Sequence, residues 1–445
     1  MSRAMKDSGI PWIGEIPKDW VVRKLRNVGR FSASGIDKKI VEGEPLVHII
    51  NYVDVYKNPN KELRAQEYMI VSAPIEKCSE HQVNVGDMIF TPSSETIEDI
   101  GVSAVIMDEL PNTAFSYHVL RFQPNNVVDL KYRKYFTNNN YCLNYFSSCA
   151  TGTIRKTIGR DVFKECLVVL PPLAEQQRIA EFLDRKCAEV DEMIALQEQI
   201  IEELKAYKQS VITEAVTKGL NPDAPMKDSG IEWIGQIPEH WEVEPLKYNF
   251  NRRSERNNPI ITTERLSLSI DKGVTLYSEK TTNLDRFKED FTQYQLAYPN
   301  DIVLNCMNMI VGAVGLSKYL GCVSPVYYVI YPFKTKVDSE YYSYLLNTST
   351  IRGVYYSYGK GIYAIERGEG RFNTCRLKVS YDDFGRFNIP IPPIEEQRNI
   401  VSHIKEKCAD IDALIATKQQ KIDSLKEYKK SIIYEYVTGK REVNE

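Results

Sequence analysis

Residues 170–219 read LPPLAEQQRIAEFLDRKCAEVDEMIALQEQIIEELKAYKQSVITEAVTKG, and residues 391–440 read IPPIEEQRNIVSHIKEKCADIDALIATKQQKIDSLKEYKKSIIYEYVTGK. Laid over each other without a gap, about 22 of 50 positions match at a constant offset of 221. A repeat of this kind governs the plan of the whole chain. Each copy predicts one long helix. Pro171-Pro172 and Pro392-Pro393 bar helix upstream and set the chain just ahead of its start. Glu175 and Glu395-Glu396 follow in the first turn, where the helix dipole favours negative charge. No Gly or Pro occurs from Glu175 to Val216, and Gly219 and Gly439 supply the stops. At the helical rise per residue this makes roughly 60 Å of helix, too long for one ordinary core.

Val190, Leu204 and Val211 fall on heptad a positions, with Gln197 between them, while Ile194, Ile201 and Ala215 fall on d, with Lys208 between them. The second copy repeats the stripe as Ile411, Leu425 and Ile432, broken by Lys418, and as Ile415, Ile422 and Tyr436, broken by Lys429. A lone helix cannot bury such a stripe, so the simplest arrangement pairs the two copies as a coiled coil. The alternative is two separate amphipathic helices, each on its own domain.

A second repeat shares the offset. MKDSGIPWIGEIPKDWVVRKLRNV at 5–28 returns as MKDSGIEWIGQIPEHWEVEPLKYN at 226–249, with about 14 of 24 positions identical. Its Gly, Pro and Trp content predicts a fixed non-helical lead-in segment. Trp12, Trp20, Trp233 and Trp241 anchor it, by core packing or against a partner. The variable regions, 21–169 and 242–390, share only short marks. GDMIF at 86–90 resembles NDIVL at 300–304, a turn and buried strand, and SYHVLRFQP at 116–124 resembles SPVYYVIYP at 324–332, another strand. Asp129-x-x-Tyr132-x-x-Tyr135 resembles Asp338-x-x-Tyr341-x-x-Tyr344, a short helix start. Thr153-x-Arg155-x5-Asp161-x-Phe163 returns as Thr374-x-Arg376-x5-Asp382-x-Phe384.

The fold class this implies is α+β: two strand-rich α/β domains at opposite ends of an antiparallel two-helix coiled coil, with a pseudo-twofold internal repeat. The antiparallel sense follows from the short linker TKGLNPDAP at 217–225, which starts the second domain near the end of the first helix. The boundaries are 1–169 (lead-in and first domain), 170–219 (long helix), 220–390 (linker, lead-in and second domain) and 391–445 (long helix and tail). A rod of this kind would set the distance between the two domains.

The chain has 445 residues, 43% hydrophobic and 26% charged, enough for two or three soluble domains. No apolar run reaches membrane-spanning length, and MSRAMKDSG has no apolar signal region. Nine cysteines without a CxxC pair point to a reducing, cytoplasmic setting. Net charge is −3, yet residues 20–170 carry 18 basic against 17 acidic side chains and residues 241–391 carry 19 against 16. This distribution permits nucleic-acid binding by local patches and does not demand it.

Catalytic signatures are absent from the sequence: there is no GxxxxGKS/T or GxGxxG phosphate loop, and the five histidines form no HExxH or HxH pair. Two stretches suit nucleic acid. TGTIRKTIGR at 151–160 offers Thr153, Arg155, Lys156 and Arg160; cations and hydroxyls meet phosphates, and Arg can take a guanine edge. YYSYGKGIYAIERGEGRFNTCRLK at 355–378 places Lys360, Arg367, Arg371, Thr374, Arg376 and Lys378 among aromatics and glycines. The competing reading of both is a solvated surface loop.

The duplicated MKDSGIxWIGxIPxxW segment, the PPxxEQ helix start and the repeated long helix resemble the specificity (S) subunits of Type I restriction-modification systems, in order along the whole chain. The resemblance implies two target recognition domains, each reading one half of a bipartite, asymmetric DNA target. It implies a subunit without catalytic activity of its own. It implies as partners double-stranded DNA, two methyltransferase (M) subunits and two restriction (R) subunits, and no membrane. It implies no cofactor on this chain, with S-adenosylmethionine, ATP and Mg on the partner subunits. Pro171, Pro172, Glu175, Gln176, Pro392, Pro393, Glu396 and Gln397 would belong to the frame that docks M subunits. The alternatives are a structural coiled-coil adaptor and a DNA-cleaving enzyme with an unrecognised site.

Overall fold

Both long repeats are helical from end to end, Leu173–Lys218 and Ile394–Val437, in the computed structural model. It describes residues 3–97, 99–270, 272–279, 290–362, 366–367, 371–372 and 376–443. The chain divides into two units, Met1–Gln197 with Gln420–Glu445, and Glu198–Gln419, so each long helix gives one half to each unit. No helix among the described residues is long and apolar enough to cross a membrane.

In the first unit the lead-in strands Met5–Asp7 and Glu15–Pro17 pair antiparallel. Asp7 Oδ1 and Ser8 Oγ fasten the turn by accepting the backbone N–H groups of Gly9 and Ile10. Val21–Lys24 then pairs antiparallel with Leu167–Leu170, joining the two ends of the variable region in one stem. Beyond the stem a five-stranded sheet runs in the order Gly29–Ser32, Leu120–Pro124, Met88–Phe90, Ser103–Ile106, Glu62–Leu63, antiparallel except for its last pair. Side chains alternate between its faces. Met88 and Phe90 pack with Trp20, Phe122, Phe163 and the helix residues Ile179, Leu183 and Ile432. Ile89 faces the other way, with Ile50 and Phe115 of a three-stranded sheet.

The second unit repeats the plan. Met226–Asp228 pairs with Gln236–Pro238, and Glu242–Pro245 pairs with Asn388–Ile391 as the stem. Its antiparallel sheet runs Phe250–Arg252, Tyr328–Pro332, Ile302–Leu304, Val314–Leu316, the order of the first four strands in the other unit. The short sequence marks sit at equivalent places in these sheets and in the helices Arg160–Glu165 and Tyr381–Gly385, whose Phe163 and Phe384 are fully buried.

Burial along the helices follows the heptad. Val190, Gln197, Ile201 and Ala215 are buried on one helix and Ile411, Ile422 and Ile432 on the other, while most positions between them are exposed. In the first unit the Phe182 and Tyr436 rings lie 4.4 Å apart, and Lys429 pairs with Asp191 at 2.6 Å. In the second unit Lys208 pairs with Asp412 at 2.7 Å. Low residue numbers on one helix meet high numbers on the other, so within each unit the helix halves run antiparallel. The pairs also account for the lysines that interrupt the d stripe: the stem lies along the seam and the ammonium reaches a carboxylate of the opposite helix. Asp412 and Lys429 are the offset-221 copies of Asp191 and Lys208, so one ion pair has been made twice. The second helix ends on the first lead-in. Gly439 has φ +72°, and a Cβ there would stand 2.3 Å from Pro17 Cδ, so both backbone conformation and space require glycine.

Candidate nucleic-acid interface and its frame

The loop at 151–160 is a closed hairpin tip. Thr151 and Thr157 exchange backbone hydrogen bonds of 3.0 and 2.8 Å, and Lys156–Thr157 pairs with Ser93–Ser94. Gly152, at φ +109°, lets the backbone turn back on itself; a Cβ would meet the Arg155 carbonyl oxygen at 2.2 Å. Lys156 Nζ donates to the Gly152 carbonyl at 2.7 Å, bracing the tip. Arg155 Nε donates to Ser93 Oγ at 3.2 Å, and its guanidinium lies 5.8 Å from the Tyr52 ring, whose hydroxyl donates to Ser94 Oγ at 3.0 Å. Thr153, Arg155 and Arg160 are exposed and Lys156 is half-buried. The four residues singled out in the sequence therefore lie together, on or just beyond one small projection.

The sequence did not single out their neighbours. Tyr117 is exposed, with its ring 3.7 Å from that of His118. Burial holds the His118 imidazole below the usual histidine range, and the positive charges of Lys38 and Arg155 add to that. Lys38, Tyr52, Tyr117 and His118 thus join the hairpin from segments remote in sequence, a proximity no spacing rule reveals. Asp37 and Asp99 lie at the edges of the patch, beside Lys39 and Tyr56.

In the second unit Lys360–Ile362 pairs with Arg376–Lys378, and Glu366–Arg367 with Arg371–Phe372. Lys360 and Lys378 are direct cross-strand partners, and both are exposed. Like charges placed opposite each other on a ribbon are unfavourable, so this arrangement concentrates positive potential at a cost in stability. The Arg252 guanidinium lies 5.0 Å from the Tyr328 ring and 5.1 Å from that of Tyr381. Thr374 lies outside the described residues, as do the side chains of Arg367, Arg371 and Arg376.

The frame residues are used inside the fold. Gln176 is buried; its Nε2 donates to the Val127 and Pro171 carbonyls at 2.9 and 2.8 Å, and its Oε1 accepts the Asp129 N–H at 2.8 Å. Gln397 does the same with the Lys336 and Pro392 carbonyls and the Asp338 N–H, at 2.8, 2.7 and 2.8 Å. Each glutamine clamps the helix start to the domain that precedes it. Pro172 and Pro393 are exposed, and their carbonyls accept first-turn N–H groups, while Pro171 and Pro392 are buried. Glu175 is buried and accepts from Trp20 Nε1 at 2.8 Å and from Arg3 at 2.7 Å. The second copy differs: Glu396 is half-buried and meets His240 Nε2 at 2.8 Å, and Trp241 Nε1 is buried without a partner. The side chains that mark the frame in the sequence therefore hold it together from within. What remains open at the lead-in is Trp12, 61% exposed, beside a cleft of about 460 Å³ lined also by Tyr141, Tyr145 and Tyr434.

Comparison with known proteins agrees with this plan. Residues 17–206 match the family model described as Type I restriction modification DNA specificity domain. A chain of Methanocaldococcus jannaschii assigned as the MjaX specificity subunit of a type I restriction enzyme is 25% identical, across 96% of this chain and 95% of its own. The StySPI specificity subunit of Salmonella potsdam is 25% identical, across 75% and 70%. In fold, a chain from a study of complex assembly and conformational transition of the type I R-M system superposes with a TM-score of 0.64 at 15% identity, covering 96% of this chain and 99% of that one. The HsdS subunit of Thermoanaerobacter tengcongensis superposes with a TM-score of 0.50, also at 15% identity, covering 96% and 98%. With its twice-built frame around two sheets of like order, the chain is similar, along nearly its whole length, to the specificity subunits of Type I restriction-modification systems.

Proposed function

We propose that this chain reads DNA for a Type I restriction-modification complex, each recognition domain taking one half of a bipartite, asymmetric target. The observation that carries this reading is one frame built twice. The glutamine clamp, the stem and the interhelical ion pair recur at offset 221, around two sheets of like order that carry unlike basic loops. A duplicated frame suits two copies of one partner, and we assign these to two M subunits, with two R subunits joining the complex. The chain itself carries no catalytic role and no cofactor; S-adenosylmethionine, ATP and Mg belong to its partners. Exposed Trp12 lies on the repeated lead-in and is our candidate for M contact.

The test is methylation mapping in a host carrying this chain with its M subunit. The expected result is one motif of two unlike halves separated by unspecified bases. A single continuous or palindromic motif would overturn the proposal. In a gel-shift titration Arg155→Ala should weaken target binding by about 1–3 kcal/mol, the range for one lost base or phosphate contact.

A further inference from the structure

We infer that Ile154 is an apolar base-contacting residue, carried into a DNA groove at the tip of the first domain's basic hairpin. The inference rests on the DNA-reading function proposed above. Ile154 is 92% exposed, the most exposed of the large hydrophobic side chains among the described residues. A branched aliphatic so placed gains nothing from folding, because burial in the core is what normally retains it. Its setting is rigid. The Thr151–Thr157 hydrogen bonds close the tip, Gly152 permits the tight return, and the Lys156 ammonium bonds across it to the Gly152 carbonyl. The base of the hairpin is tied to Ser93–Ser94 and to the Pro92 carbonyl. The isoleucine therefore projects at the apex of a stiff, narrow element.

The flanks name the partner. Residues 151–160 hold Arg155, Lys156 and Arg160 and no acidic side chain. Cations that meet phosphates beside a projecting aliphatic would carry that aliphatic to the base edges. There it can pack on a thymine methyl or wedge against a base step. An apolar protein surface would be served by Ile154 but not by the cations around it.

The experiment uses the full chain in complex with its M subunit and a duplex library randomised across the mapped motif, sequenced after capture. With Ile154→Ala, preference at one or two adjacent positions of a single half-site should broaden. Affinity for the best sequence should fall about tenfold, as for one lost base-pair contact, and the salt dependence should keep its slope. Arg155→Ala is the control, losing affinity with a shallower salt slope. If Ile154→Ala leaves preference and affinity unchanged while Arg155→Ala weakens binding, the inference is overturned and the DNA reading stands. If Ile154→Ala instead prevents assembly with M, Ile154 is a protein contact and the inference is overturned. A wild-type complex without any sequence preference would overturn the DNA reading as well.

Discussion

Gln176 and Gln397 each make three hydrogen bonds between the helix start and the domain before it. Removing the Gln176 carboxamide takes a partner from the Asp129 N–H and from two carbonyls, that of Pro171 buried. Gln176→Ala should therefore lower the stability of the first unit by about 3 kcal/mol, measured by denaturant titration. His81 is a second buried polar residue of that unit, its ring edge-on to Phe115 at 5.6 Å and its Nδ1 without a partner. Burial holds it below its ordinary value of 6.5, with Arg121 and Lys77 adding to the effect. The unfolded chain then takes up a proton before the folded one does. The stability His81 contributes is present above the unfolded value and lost as pH falls through the folded one. His81→Phe should flatten the decline in stability of the first unit below about pH 6.5, seen as melting temperature against pH. The exposed cations of the hairpin were legible in the sequence because charge and glycine content mark loops. The glutamines were legible only as a repeated PPxxEQ. Their use as internal clamps depends on carbonyls of residues 127 and 336, far away in sequence.

At the scale of elements, the heptad stripe carries the helix pairing. Ile422 is buried in the seam, and Ile422→Ala should cost about 2–5 kcal/mol by removing apolar contact and leaving a cavity, read from thermal unfolding. The Lys429–Asp191 pair is different, since the lysine side chain is 25% exposed and the aspartate 49%. A double-mutant cycle on it should give a coupling of about 0.2–1 kcal/mol, the range for exposed pairs. The helices were readable because an apolar heptad sustained from Val190 to Ala215 fits a helix buried along one seam and fits no strand. The sheet order was not. GDMIF and SYHVLRFQP announce strands, but Met88–Phe90 lies between Leu120–Pro124 and Ser103–Ile106 through contacts that local sequence does not encode.

For the whole molecule, the most direct test of a shared frame is to give it the same reader twice. A chain whose residues 242–390 are replaced by its own 21–169 keeps both stems, since each variable region begins and ends in one antiparallel pair. Methylation mapping of such a chain should return a motif built from the first half-site twice. By itself the sequence determined the repeat at offset 221, the two long helices with their apolar stripe, the strand-rich content of the variable regions and the resemblance to Type I specificity subunits. These are periodic or local, set by side-chain spacing and backbone preference, so a linear string can hold them. Only the tertiary structure decided that Lys38, Tyr52, Tyr117 and His118 lie about the 151–160 hairpin, that Arg252 meets the rings of Tyr328 and Tyr381, and that Lys208 and Lys429 end on aspartates. Those neighbours lie tens to hundreds of residues apart, and what brings them together is the folding of sheets and helix halves onto common cores.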